Sequence, residues 1–177
     1  MSVPDVKDIR YIMTCYMCPK DWRFHYSKGI AIAKGKEHGI FNKIDSIQSL
    51  EEIPLELRDF NKLSKFLYED DQFVIVYDSA PDSRLHLLFI PIDHIENAHI
   101  LDHPDLFKDI LLAGHFITRK SSSLKETHMT ISSKKSEWQG DYFRHFHLHL
   151  SSEDLIDEEE LIGLLTPGFY KGYRPNG

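Results

Sequence analysis

The sequence predicts an α+β domain, a central antiparallel sheet with flanking helices. Two observations carry this. Short runs rich in β-formers, "QFVIVYD" and "LHLLFIP", together with the alternating "RHFHLHL", have the length and pattern of strands. One long segment, "HPDLFKDILLAGHFITRK", carries an apolar stripe at helical spacing. Strands joined by turns and accompanied by a few helices give an α+β architecture. A length of 177 residues with 41% hydrophobic content suits one domain with an elaboration.

In chain order, "GIAIAK" (29–34) and "GIFNKI" (39–44) read as two short strands around Gly35. "IPLELRDFNKLSKFL" (53–67) reads as a helix, with Pro54 in its first turn and Leu57, Phe60, Leu63 and Leu67 on one face. "QFVIVYD" (72–78) is a strand buried on both faces. "SAPDSR" is a turn, and "LHLLFIP" is the next strand, stopped by Pro91. There His86 shares a face with Leu88 and Ile90.

The long helix begins near Pro104, has Leu106, Phe107, Ile110, Leu111, Gly114 and Ile117 as its stripe, and ends on Arg119 and Lys120. "HMTIS" (128–132) is a short strand, and a polar loop leads to the histidines. A last helix starts near Asp157 and stops at Pro167 and Gly168. The tail "FYKGYRPNG" has aromatics without a period, and reads as mobile or docked across a partner.

Net charge is -7, so the chain carries no strong nucleic-acid signal, although "RKSSSLK" and "SSKK" are locally basic. No apolar run is long enough to span a bilayer and no secretory leader is recognisable, which predicts a cytoplasmic protein with no membrane partner. Two cysteines, Cys15 and Cys18 in "CYMC", do not make a disulfide framework. With eleven histidines in the chain, half a zinc site is the favoured reading of that C-x-x-C.

The stretch Arg144–Leu150 raises the central chemical question. On a strand, side chains alternate faces, so His145, His147 and His149 share one face and Phe146, Leu148 and Leu150 the other. Three readings follow: a half-exposed strand whose polar positions are histidine, a multi-histidine metal site, or a catalytic strand in which one imidazole attacks and the others support it.

Several pieces occur in order: Tyr68-Glu69-Asp70, the apolar strand ending in Asp78, His86 through Ile90-Pro91, His94 three residues beyond, the long helix, and His145-Phe-His147-Leu-His149. This combination, from Tyr68 to about Leu150 plus the "CYMC", resembles the histidine-triad (HIT) superfamily. The resemblance implies a HIT-like α+β fold, often paired into a homodimer. The implied layout is a single domain over 1–177, with an insertion at about 19–66 and a C-terminal helix and tail at about 154–177.

The implied activity is that of a nucleotide hydrolase or nucleotidyl transferase. His147 would attack the α-phosphorus to give a nucleotidyl-histidine, His149 and His86 would bond the phosphate, and Asp78 would contact the ribose. A zinc-binding subset of the family implies a structural Zn2+ on Cys15, Cys18, His94 and His145. The alternative is a nucleotide-binding regulatory protein of the same fold with weak or no turnover. A zinc hydrolase using all three triad histidines on one metal is a further alternative.

The sequence departs from Hint-type relatives before the triad. Their Gly-Gln-Ser aligns with Gly140, Asp141 and Tyr142, and their loop Asn with Ser132 or Ser133. Ser132, Ser133, Lys134, Lys135 and Tyr142 are the candidate replacement donors for a phosphate, which would shift preference toward dinucleoside polyphosphates or nucleotide sugars; the alternative is a solvated loop with no ligand contact. His99, His103 and His115 read as ordinary helix-flanking residues, Trp138 as a cover or a packing anchor, and 157–160 as a solvated helix start.

Overall fold

The structure is a computed structural model and describes residues 18–19, 66–78, 81–131 and 145–176. The chain builds β1 (Tyr68–Glu69), β2 (Phe73–Tyr77), β3 (Leu85–Pro91), a 3-10 turn (Asn97–Asp102), α1 (Pro104–Lys120), β4 (His128–Ile131), β5 (Leu148–Ser152) and α2 (Glu158–Leu164). The five strands form one sheet in the order β1-β2-β3-β5-β4, every neighbouring pair antiparallel. The α+β expectation therefore holds.

Alternation along the strands divides the sheet into two faces. Phe73, Ile75, Leu85, Leu87, Phe89, Leu148 and Leu150 enter the main core, joined by Phe146 and by Ile110, Ala113 and Ile117 of α1. Val74, Val76, Leu88 and Ile90 lie in a second, smaller cluster with Cys18. β2 and β3 are buried on both faces, apart from the half-buried Tyr77, as their continuous apolar runs predict. α1 follows its predicted stripe and adds Ala113 to it. At Gly114 the helix approaches β4 so closely that a β-carbon would stand 2.7 Å from Met129 Sδ. The N-cap of α2 is Asp157, whose side chain accepts from the Glu159 N–H, and three glutamates follow in the first turn, where the dipole favours them.

Three expectations change. The histidine strand is shorter than the alternation predicts. β5 starts at Leu148, and His145 makes only an isolated bridge to Glu96. The tail neither floats nor crosses to a partner, because Phe169 and Tyr170 are buried in the chain's own core. The predicted helix 53–67 falls outside the described residues except at its end, where Leu67 already donates its N–H to the Ile75 carbonyl at 2.8 Å. The two predicted strands at 29–34 and 39–44 also lie outside them.

The tail is fixed by a half-buried polar knot. Tyr170 Oη donates to Asp70 Oδ2 at 2.6 Å and Tyr68 Oη to the same oxygen at 2.9 Å. Asp70 Oδ1 accepts from the N–H groups of Gln72 and Phe73 at 2.8 and 3.0 Å. Gly168 N–H donates to Tyr68 Oη at 3.2 Å. Burial works to raise the Asp70 pKa, but the hydrogen bonds from Tyr170, Phe73, Gln72 and Tyr68 outweigh it and hold the carboxyl below its usual range. Burial, reinforced by Asp70, pushes the Tyr68 phenol up to about 12.

Two outcomes follow. Tyr170→Phe removes one donor from a half-buried carboxylate and should lower unfolding free energy by about 1–3 kcal/mol, whereas Tyr170→Ala should cost about 3–5 kcal/mol, both read by denaturant titration. The folded pKa of Asp70 is depressed, so its contribution is present above the unfolded value of about 3.9 and lost as pH falls through the folded one. The gap between wild type and Tyr170→Phe should accordingly close under acid. A gap that widens below pH 4 would rule the carboxylate out as the anchor.

Candidate active site

The polar centre sits on the sheet face that carries the smaller apolar cluster. β3–β5 pairing puts Leu88 opposite His149 and His86 opposite Ser151, so His86 and His149 lie diagonally across two neighbouring strands. His86 Nε2 and His149 Nδ1 are 2.8 Å apart, and the His147 and His149 ring centroids are 4.8 Å apart. Asp78, just past the end of β2, places Oδ2 3.3 Å from His86 Nε2 and 3.7 Å from His149 Nδ1.

His86 Nδ1 meets both the Asp82 N–H at 3.3 Å and Asp82 Oδ1 at 3.0 Å. In the tautomer that accepts the N–H, a neutral His86 carries its proton on Nε2 and donates it to His149 Nδ1. Asp78 Oδ2, beside the same Nε2, favours the proton there. His149 then carries its own proton on Nε2. Burial pushes the His149 imidazole down to about 4, with His147 and His86 acting the same way and Asp78 and Asp82 opposing. His149 is thus neutral near pH 7.

His147 is 6% exposed. Its Nδ1–H donates to the His145 carbonyl at 2.9 Å, so Nε2 holds the lone pair. A backbone acceptor of this kind fixes both tautomer and ring orientation, as a nitrogen nucleophile requires.

His145 turns to a different task. Its Nδ1 is 3.4 Å from Cys18 Sγ, and His94 Nδ1 is 3.3 Å from the same sulfur. The His145 Nε2–H donates to the Pro91 carbonyl at 3.0 Å, which directs an unprotonated Nδ1 at the sulfur. Tetrahedral zinc with Zn–S of about 2.3 Å and Zn–N of about 2.0–2.1 Å spaces sulfur and nitrogen by about 3.5 Å. The three atoms lie within 4.8 Å of one another, a spacing at which one ion can take a lone pair from each. Cys18, His94 and His145 therefore fit a structural metal.

The three triad histidines do not surround one ion. His145 belongs with Cys18 and His94, while His86 and His149 gather with Asp78. Of the other expected site residues, Cys15, Ser132, Ser133, Lys134, Lys135 and Tyr142 lie outside the described residues, as do Trp138, Gly140 and Asp141. His99 and His103 are exposed, and His115 contacts Tyr173 Oη at 3.2 Å, in line with their ordinary reading.

Sequence reasoning missed Asp82. Its signal was present, an acid four residues before His86 across a proline turn, but the turn's geometry was needed to bring them together. The Pro91 and His145 carbonyls were equally invisible, since backbone acceptors leave no residue-type signature.

Among the described residues, no helix is long and apolar enough to cross a membrane. The HIT-domain family model matches residues 59–154. Similar solved structures include a HIT family hydrolase from Clostridium thermocellum (23% identity, 50% of this chain and 77% of that one, TM-score 0.42). Another is a zinc-bound histidine triad family protein from Mycobacterium smegmatis (25%, 59% and 82%, TM-score 0.41). A third is a hypothetical histidine triad nucleotide-binding protein from Sulfolobus tokodaii (22%, 60% and 80%, TM-score 0.40). No curated protein matches. Matched by the HIT-domain model over more than half of its length, with the triad's rings set on the sheet face away from the main core, this chain belongs to the histidine-triad (HIT) family.

Proposed function

We propose that the protein is a nucleotide hydrolase or nucleotidyl transferase acting at the α-phosphate of a nucleoside monophosphate derivative. The observation that carries this is the hydrogen bond from His147 Nδ1–H to the His145 carbonyl, which presents Nε2 as a fixed, unprotonated nucleophile. In this reading Nε2 attacks the α-phosphorus. A nitrogen–phosphorus bond forms, the bond to the leaving group breaks, and the leaving group departs with the electron pair. Water, or a second acceptor hydroxyl, then attacks the phosphorus and releases its proton to solvent, and the nitrogen–phosphorus electrons return to His147 Nε2.

His149 offers its Nε2–H to the phosphoryl oxygens, since its Nδ1 accepts from His86. A low His149 pKa favours a neutral imidazole as the donor. Asp78 orders the His86–His149 pair and serves the ribose. Ser133, Lys134 and Tyr142 take the phosphate-binding role that Gln and Ser have in Hint-type relatives, which favours polyphosphate or nucleotide-sugar substrates. The full chain acts as one domain over 1–177, with 19–66 inserted, working as a cytoplasmic homodimer.

Zinc is the structural metal in this reading, held by Cys18, His94 and His145 with Cys15 as the fourth ligand. When bound it supplies folding energy rather than chemistry. Gently purified protein should contain at least about one zinc per chain by elemental analysis. Cys18→Ser and Cys15→Ser should each lower that content and the unfolding temperature. Unchanged metal in Cys15→Ser would remove Cys15 from the set.

A quenched single turnover should leave a nucleotide on His147, stable in base and lost in acid as expected of a phosphoramidate, and located by peptide mass. His147→Ala should lose turnover while keeping nucleotide affinity. More than about a tenth of wild-type rate in that variant would sink the covalent route.

A further inference from the structure

Asp78, His86 and His149 have a geometry that the hydrogen-bond relay alone does not explain. Their donor atoms lie 3.3, 2.8 and 3.7 Å apart, and all three side chains are at most 22% exposed. A circle through atoms so spaced has a radius of about 1.9 Å, just below the 2.0–2.2 Å bonds that zinc makes to imidazole and carboxylate. An ion slightly above that plane meets all three at normal distances, with a near-tetrahedral face toward the protein and the remaining position open.

We propose that these three residues form a second metal site, for a divalent transition cation of the zinc class, separate from the Cys18 set. Two imidazoles and one carboxylate select such ions over calcium or magnesium, which prefer all-oxygen shells. Asp82 supports the assignment. It places both a donor and an acceptor at His86 Nδ1, the N–H at 3.3 Å and Oδ1 at 3.0 Å. Without metal, Nδ1 accepts from the N–H and the proton stays on Nε2. With metal, Nε2 gives its lone pair to the ion, the proton moves to Nδ1, and Oδ1 accepts it. That is the carboxylate–histidine–metal arrangement that orients ligating histidines. The site thus has two states. In one, His86 donates to His149, and in the other both rings ligate the ion, so metal occupancy interrupts the relay assigned to catalysis above. Binding of the ion does not require that assignment.

Cobalt(II) is the probe, titrated with no nucleotide present into the full chain after its resident metal has been removed by a chelator, so that the Cys18 set and the second site both start empty. Thiolate ligation at Cys18 gives an intense near-ultraviolet charge-transfer band, and a nitrogen–oxygen site gives only weak visible bands. The expected result is a second equivalent per chain that adds visible absorption without further charge-transfer intensity. Asp78→Asn should weaken that equivalent by more than tenfold and Asp82→Asn by about tenfold, both leaving the thiolate band unchanged. Should a variant fold poorly, the wild type still decides. Cobalt at the second equivalent should shift or broaden the ring resonances of His86 and His149 and spare those of exposed His99 and His128. Saturation at one equivalent, a second equivalent indifferent to Asp78→Asn, or broadening confined to exposed histidines would each overturn the proposal. The thiolate band reads the Cys18 set independently, so failure there and failure here are told apart.

Discussion

The antiparallel register of β3 against β5 is the constraint on which the rest of the molecule depends. With Leu88 opposite His149, the imidazoles of both strands face away from the main core while Leu87, Phe89, Leu148 and Leu150 fill it. A slip of one residue would invert both sets, burying imidazoles against α1 and exposing leucines. The apolar side chains opposing that slip are wholly or almost wholly buried, each contributing on the order of 1.5–3 kcal/mol. The core therefore enforces the active-site geometry, although none of its residues touches a substrate atom in the proposed reaction.

The same alternation gives the histidines of one short stretch separate tasks. His149 lies within β5, where its neighbours are fixed by the ladder to β3. His147 stands just before the strand, and its ring returns to its own backbone. His145 is held instead by the bridge to Glu96 and by the Pro91 carbonyl, and so faces Cys18 and His94. Leaving the ladder before Leu148 releases the chain from strand geometry at the point where the side chains must serve two different centres.

Much of this was legible in the sequence. Continuous apolar runs marked β2 and β3, a 3.6-residue stripe marked α1, and an acid-rich start after Asp157 marked α2, because each follows from local periodicity or capping. The end of β5 was not legible. It depends on Ile95 and Glu96, far away in sequence, the former accepting the Phe146 N–H at 2.6 Å. The docking of Phe169 and Tyr170 was hidden for the same reason, since Asp70 lies 100 residues from its partner Tyr170 and Phe169 packs edge-on against the distant Tyr68. In the site, residue types announced Asp78, His86, His147, His149, Cys18 and His94. The contacts that set their protons come from carbonyls and from a turn amide, which carry no identity in a sequence.

His145 joins the two centres in a way that the triad's spacing conceals. Its side chain belongs to the Cys18 cluster, while its carbonyl accepts the proton that fixes His147. A carbonyl can control a tautomer only if it does not rotate away, and this one is restrained on several sides. The Glu96 bridge holds the backbone at His145, the Phe146 N–H of the same peptide unit donates to the Ile95 carbonyl, and the ring is tied through Nε2 to Pro91. A rotation that released His147 Nδ1 would also disturb the Phe146 N–H bond and strain a ring fixed at both nitrogens. The cost exceeds that of one hydrogen bond, about 0.5–1.5 kcal/mol, because neighbouring bonds must yield together. Rigidity at the Cys18 cluster is thus transmitted to His147, the proposed nucleophile, through a single residue, His145.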